Sequence, residues 1–184
     1  MLTVWFKPRA TIRGLLDNPN PKFIYSIITI YGVVIVLNHL SHIGIGDDDM
    51  SLTFILLTAV FLGPIIGFIW YYLLGALFKW VGSLLGEKGS YRDLRLTLVC
   101  YAIPSVVLLG LWIISLILFG IDNFNKSSVE IPIIFFLIVG PITLLIIIWS
   151  IVILVNCFSE THKFSKKKAL LLSLIYLPFY WIGL

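Results

Sequence analysis

Two short stretches combine a serine with clustered cations in a way that suits phosphate chemistry. In Gly86–Pro104, GEKGSYRDLRLTLVCYAIP, Ser90 and Asp93 have the S-x-x-D spacing of a capping box, so Ser90 is the expected N-cap of a helix. Arg92 and Arg95 follow in its first turns, where the helix dipole makes a cation mildly unfavourable. Something else must favour them there, either an anion or the sidedness of a membrane. Ser165 precedes Lys166, Lys167 and Lys168 in the same arrangement. Helix N-terminal amides, a serine hydroxyl and Lys or Arg together suit phosphate, and an anionic lipid headgroup is the natural ligand at a membrane. A plainer account is preferred, in which these cations beside an N-cap only orient the chain.

Other residue types offer less. His39 and His42 stand at i and i+3, and Asp47, Asp48 and Asp49 are adjacent. Neither group has the third ligand or the spacing of a metal site, so interfacial histidines and a solvated acidic loop are expected, with no metal or cofactor. Cys100 and Cys157 fall one to an apolar run without C-x-x-C spacing. They are expected to be small buried hydrophobes rather than a disulfide or a zinc pair. No His–acid metal motif, nucleophile elbow or pair of intramembrane carboxylates is present, and no enzymatic activity is expected.

The elements that must position these residues are helices in lipid. The chain of 184 residues is 60% hydrophobic and 12% charged, with a mean hydropathy of +1.06. A soluble domain of that length could not bury so much apolar surface. The net charge is +4, but the cations lie in loops between apolar runs, which argues for orientation in a bilayer rather than nucleic-acid binding. An all-α polytopic protein follows, one membrane domain over 1–184, with spans at about 23–39, 52–80, 94–119, 131–158 and 169–184. Residues 1–22 show no apolar stretch of a cleavable signal peptide. There Pro8 suits a first helical position, and Ile12, Leu15 and Leu16 follow at helical spacing beside Trp5 and Phe6. A short amphipathic helix lying on the inner leaflet is predicted.

Five spans leave the two ends on opposite sides. Twelve of the thirteen Lys and Arg residues flank one set of ends, with Lys126 alone on the other. The positive-inside rule then places the N-terminus in the cytoplasm and the C-terminus outside, in a multi-pass cell inner (plasma) membrane protein. Spans two and three also resemble spans four and five. Gly63-Pro64 answers Gly140-Pro141, Ser90-Tyr91-Arg92 answers Ser165-Lys166-Lys167, and Tyr101 with Pro104 answers Tyr176 with Pro178. Two parallel hairpin repeats, related by an axis along the membrane normal, are expected.

The same residues carry a family resemblance. Trp5-x-x-Pro8-Arg9-x-Thr11-Ile12-Arg13 before Asn18-Pro19 resembles the N-terminal motif of bacterial Yip-type (Ypt/Rab-interacting) proteins. Gly86-x-x-Gly89-Ser90-Tyr91-Arg92 before Tyr101-Ala102-x-x-Pro104 resembles the central motif of that family. Phe164-Ser165 with Lys168-Ala169-Leu170 resembles its last cytoplasmic turn. The resemblance implies a five-span helical membrane protein with a cytoplasmic N-terminus. Eukaryotic relatives bind Rab-type GTPases and carry a long cytoplasmic N-terminal region; with only 22 residues before the first span, that partner is not carried over.

Two functions compete. The first is a scaffold or adaptor that holds protein or lipid partners through its basic turns, favoured because the spans carry no Asp, Glu, Lys or Arg deep in the bilayer. The alternative is a transporter or channel for a small or lipidic solute. Kinks at Pro64, Pro104 and Pro141 would open its cavity, with Thr97, Tyr101, Ser150 and Asn156 as polar lining. A hydrated pocket bounded by those prolines would favour the second, and tight apolar packing the first. Gly63, Gly67, Gly75 and Ala76 would let helices approach closely, in a homo-oligomer or within one chain.

Overall fold

The computed structural model describes residues 3–48, 50–84, 86, 90–126, 133–162 and 165–174. Among them every regular element is a helix: α1 Thr3–Phe6, α2 Pro8–Asp17, α3 Pro21–Ile43, α4 Leu52–Leu84, α5 Tyr91–Ala102, α6 Ser105–Phe119, α7 Ile133–His162 and α8 Lys166–Leu174. Short 3-10 turns, Ile45–Asp48 and Gly120–Phe124, follow α3 and α6.

The helix ends follow local chemistry. Pro8 opens α2 and Pro21 opens α3, where a missing N–H costs nothing. Asn20 caps α3 by accepting the Phe23 N–H at 3.3 Å, and Gly44 stops it in the left-handed region at φ 72°. The expected capping box exists: Ser90 Oγ accepts the Asp93 N–H at 3.2 Å, and Asp93 Oδ2 accepts the Ser90 N–H at 3.1 Å.

Four stretches are long and apolar enough to cross a bilayer: Pro21–Ile43, Leu52–Leu84, Tyr91–Phe124 and Leu137–Thr161. Their outer faces are bare hydrocarbon, with Phe61, Ile65, Ile117, Leu137 and Leu145 all more than half exposed. Such surface is stable only where lipid is the solvent. At 33 residues α4 is about 50 Å long, well beyond the hydrocarbon thickness of about 30 Å. The predicted fifth span is described only as far as Leu174, and residues 175–184 lie outside the described part.

The expected third span is two helices. Pro104 cannot donate to the Cys100 carbonyl, which takes the Ile103 N–H at 3.4 Å instead. Ser105 Oγ serves the Ala102 carbonyl at 2.6 Å. Pro64 and Pro141, by contrast, lie inside continuous helices.

α5 is the packing centre, with Leu94 and residues 96–102 all buried. It touches α2, α3, α4 and α7. α3 packs most extensively on α4, where Gly32 faces Gly63 and Gly67: a Cβ at Gly32 would overlap the Gly63 carbonyl oxygen. Gly63 and Gly67 are thus used within the chain.

The N-terminal segment differs from expectation. Its helix forms at Pro8, but Val4, Ile12 and Leu15 bury their apolar stripe against α3, α5 and α7 rather than presenting it to lipid. The stripe packs into one core with Cys100, Ile103, Ile153 and Cys157, which it covers. Both cysteines are free and buried there, as expected.

Candidate functional site

Two regions carry polar chemistry, at opposite ends of the bundle. The basic end gathers α2, the start of α5, the end of α7 and the start of α8. Arg95 lies there in a box of tyrosines, its guanidinium carbon 4.6 Å from the Tyr91 ring centre, 4.9 Å from Tyr72 and 5.5 Å from Tyr71. These distances suit cation–π attraction. The Tyr91 hydroxyl donates to the Tyr72 carbonyl at 2.9 Å and closes the box. Gly75 is its floor, since a Cβ there would stand 2.6 Å from Arg95 Cγ. Arg95 Nε is buried with no hydrogen-bond partner among the described residues. Arg95 therefore turns back onto α4, while Arg92, one residue before Asp93, is exposed.

Ser90 is engaged too. Its hydroxyl oxygen accepts the Asp93 N–H and its own N–H donates to the Asp93 carboxylate, so this helix end carries an anion of its own. Ser165 stands at the start of α8, and its carbonyl accepts the Ala169 N–H at 3.1 Å, as the Ser90 carbonyl accepts Leu94 N–H at 3.2 Å. Lys166 opens α8, and Lys167 and Lys168 are exposed. Arg13 Nε meets Glu160 Oε1 at 2.6 Å. The hydrogen bond to Glu160 and its negative charge raise the Arg13 pKa further, although the side chain is fully exposed.

At the other end α3, α6 and α7 diverge around a cavity of about 400 Å3. Its polar wall comprises Asn38, Ser41, Ser115, Asn123 and Thr143; its apolar wall includes Leu108, Leu111, Phe135, Leu144 and Ile147. The polar groups brace one another. Trp112 Nε1 donates to Asn38 Oδ1 at 2.8 Å, Ser41 Oγ donates to the Asn123 carbonyl at 2.6 Å, and Ser115 Oγ donates to Asn123 Oδ1. Asn123 Nδ2 caps the end of α6 through the Ser115 and Gly120 carbonyls at 3.1 and 3.0 Å. Trp112 stacks on Phe124, with ring centres 5.7 Å apart.

The residues expected to line a cavity lie elsewhere. Thr97 is buried against α7, sharing a 3.0 Å hydrogen bond with Thr161. Ser150 Oγ and Asn156 Nδ2 each donate to a carbonyl four residues back, at 2.8 Å. Tyr101 borders a space of only about 20 Å3 between α3, α4 and α5. Of the three prolines only Pro141 adjoins the larger cavity, through Gly140 in its wall. Reading the sequence missed Asn38, Ser41, Trp112, Ser115 and Asn123. The available signal was weak: polar residues near the C-terminal ends of the first and third apolar runs.

His39 and His42 are exposed, and no group of three metal-binding side chains occurs among the described residues. Asp47 Oδ2 instead accepts the Lys126 N–H at 3.0 Å and ties two loops together; Asp49 lies outside the described residues.

Apolar helices long enough to cross a bilayer, packed by small residues and charged only near their ends, define an integral membrane protein. The sequence matches the family model of the Yip1 domain over residues 2–184, and the chain belongs to the Yip family. No curated protein and no solved structure matches it significantly.

Proposed function

We propose that the chain is a bacterial-type Yip adaptor of the plasma membrane, with five spans and its basic end in the cytoplasm. That end would hold anionic headgroups or acidic partner proteins. One observation carries this reading: Lys7, Arg9, Lys22, Arg92, Lys167 and Lys168 are exposed at the end where α2 packs. Lys126 is the one described cation at the other. Each basic residue at a membrane surface contributes about 1 kcal/mol of attraction to anionic lipid. Ser90 and Arg95 serve the fold, leaving Arg92 and the α8 lysines as the contacts of the two turns. Equivalent burial of Leu94 and Ala169, four residues after Ser90 and Ser165, supports the hairpin repeat. No catalytic role, cofactor or nucleic-acid partner is part of this reading, and a homo-oligomer would have to use surfaces other than Gly63 and Gly67.

The test is native mass spectrometry of protein extracted with its own lipids, compared with a variant in which Arg9, Arg92, Lys167 and Lys168 become Gln. Loss of retained anionic lipid in the variant supports the adaptor. Equal retention reduces these residues to topology signals.

The solute-passage reading has the cavity in its favour. Against it stands the basic half of the bundle, where the space beside Tyr101 holds about one water.

A further inference from the structure

We infer that the cavity between α3, α6 and α7 binds one hydrocarbon chain of a membrane amphiphile, its polar head at the Asn38–Ser41–Asn123 rim. This does not depend on the adaptor reading.

Depth is the first argument. Asn38 and Ser115 lie within about 8 Å of the ends of α3 and α6, at 1.5 Å per residue. Leu108, at the far end of the lining on α6, lies roughly 16 Å below the end of that helix. The cavity therefore runs from the rim to about the depth of one leaflet, half of the roughly 30 Å hydrocarbon core.

Width is the second. Spread over roughly 16 Å, 400 Å3 of space for the centres of water molecules gives a mean width of roughly 8 Å between the walls. A helix is about 10–12 Å across with its side chains, wider than this space. A file of water fits the width, but below the rim the walls are mainly Leu, Ile and Val, and apolar cavities stay dry. What remains is the medium at that depth, a lipid chain.

Polarity is the third. Asn38 uses its Oδ1 on Trp112, and among the described residues its Nδ2 has no acceptor. An amphiphile whose head carries a hydroxyl or an ester supplies the acceptor that Asn38 lacks.

Trp112 in the wall reports occupancy. A variant keeping only this tryptophan, with Trp5, Trp70, Trp80, Trp149 and Trp181 replaced by Phe, is reconstituted into phosphatidylcholine vesicles whose acyl chains are brominated. Bromine should quench Trp112. Gly140→Phe should remove most of that quenching by filling the cavity, because a Cβ at Gly140 meets nothing within 4 Å. Gly110→Phe, equally open but outside the lining, should leave it unchanged. Helical circular dichroism checks folding, and Val139→Phe serves if Gly140→Phe misfolds. Absent quenching, quenching indifferent to filling, or quenching by aqueous acrylamide in place of bromolipid would each overturn the assignment.

Discussion

Gly32 of α3 and Gly63 of α4 approach so closely that a Cβ on Gly32 would overlap the Gly63 carbonyl oxygen and stand 2.7 Å from Gly67 N. Backbone faces backbone, and no side-chain rotation relieves the clash. Gly32→Ala should lower the melting temperature in detergent, by an amount equivalent to about 1–3 kcal/mol of overpacking. Gly140→Ala, with open space around its Cβ, should not. Equal melting of all three proteins would show that the crossing is looser than drawn.

Arg95 should resist conservative replacement. Its planar guanidinium lies over three rings, and lysine cannot reproduce that stacking. Arg95→Lys is expected to cost about 1 kcal/mol by chemical denaturation, whereas Arg92→Lys, on an exposed residue, should be silent. If Arg95→Lys is silent as well, the tyrosine box contributes no stability.

α2 is held by packing rather than by charge. Ile12 is fully buried, and Ile12→Ala should cost about 2–5 kcal/mol. The exposed Arg13–Glu160 pair should show little coupling in a double-mutant cycle, because solvent screens it. The reverse order would mean that an ion pair docks the helix.

The capping box predicts non-additivity. Ser90→Ala and Asp93→Ala should each cost about 1 kcal/mol, and the double variant little more than either, because each residue caps the other. Additive losses in thermal melts would mean that the two caps act separately.

Helix starts and stops were legible in the sequence because they are local. Pro8, Ser90 with Asp93 and the break at Pro104 each act through atoms within about one turn. Membrane character was legible as well, since length and hydropathy are properties of a segment and need no partner. Which surfaces the helices spend on one another was not legible. The apolar stripe of α2 suits lipid and protein equally, and only the core it shares with α5 and α7 decided for protein. Arg95 looked like Arg92 until Gly75 left room for it beneath three tyrosines. Asn38, Trp112 and Asn123 are far apart in the chain and became one rim only because α3, α6 and α7 diverge at the same end. Periodicity and caps act along one helix, whereas a cavity depends on the distances between helices, and those arise only when the helices pack.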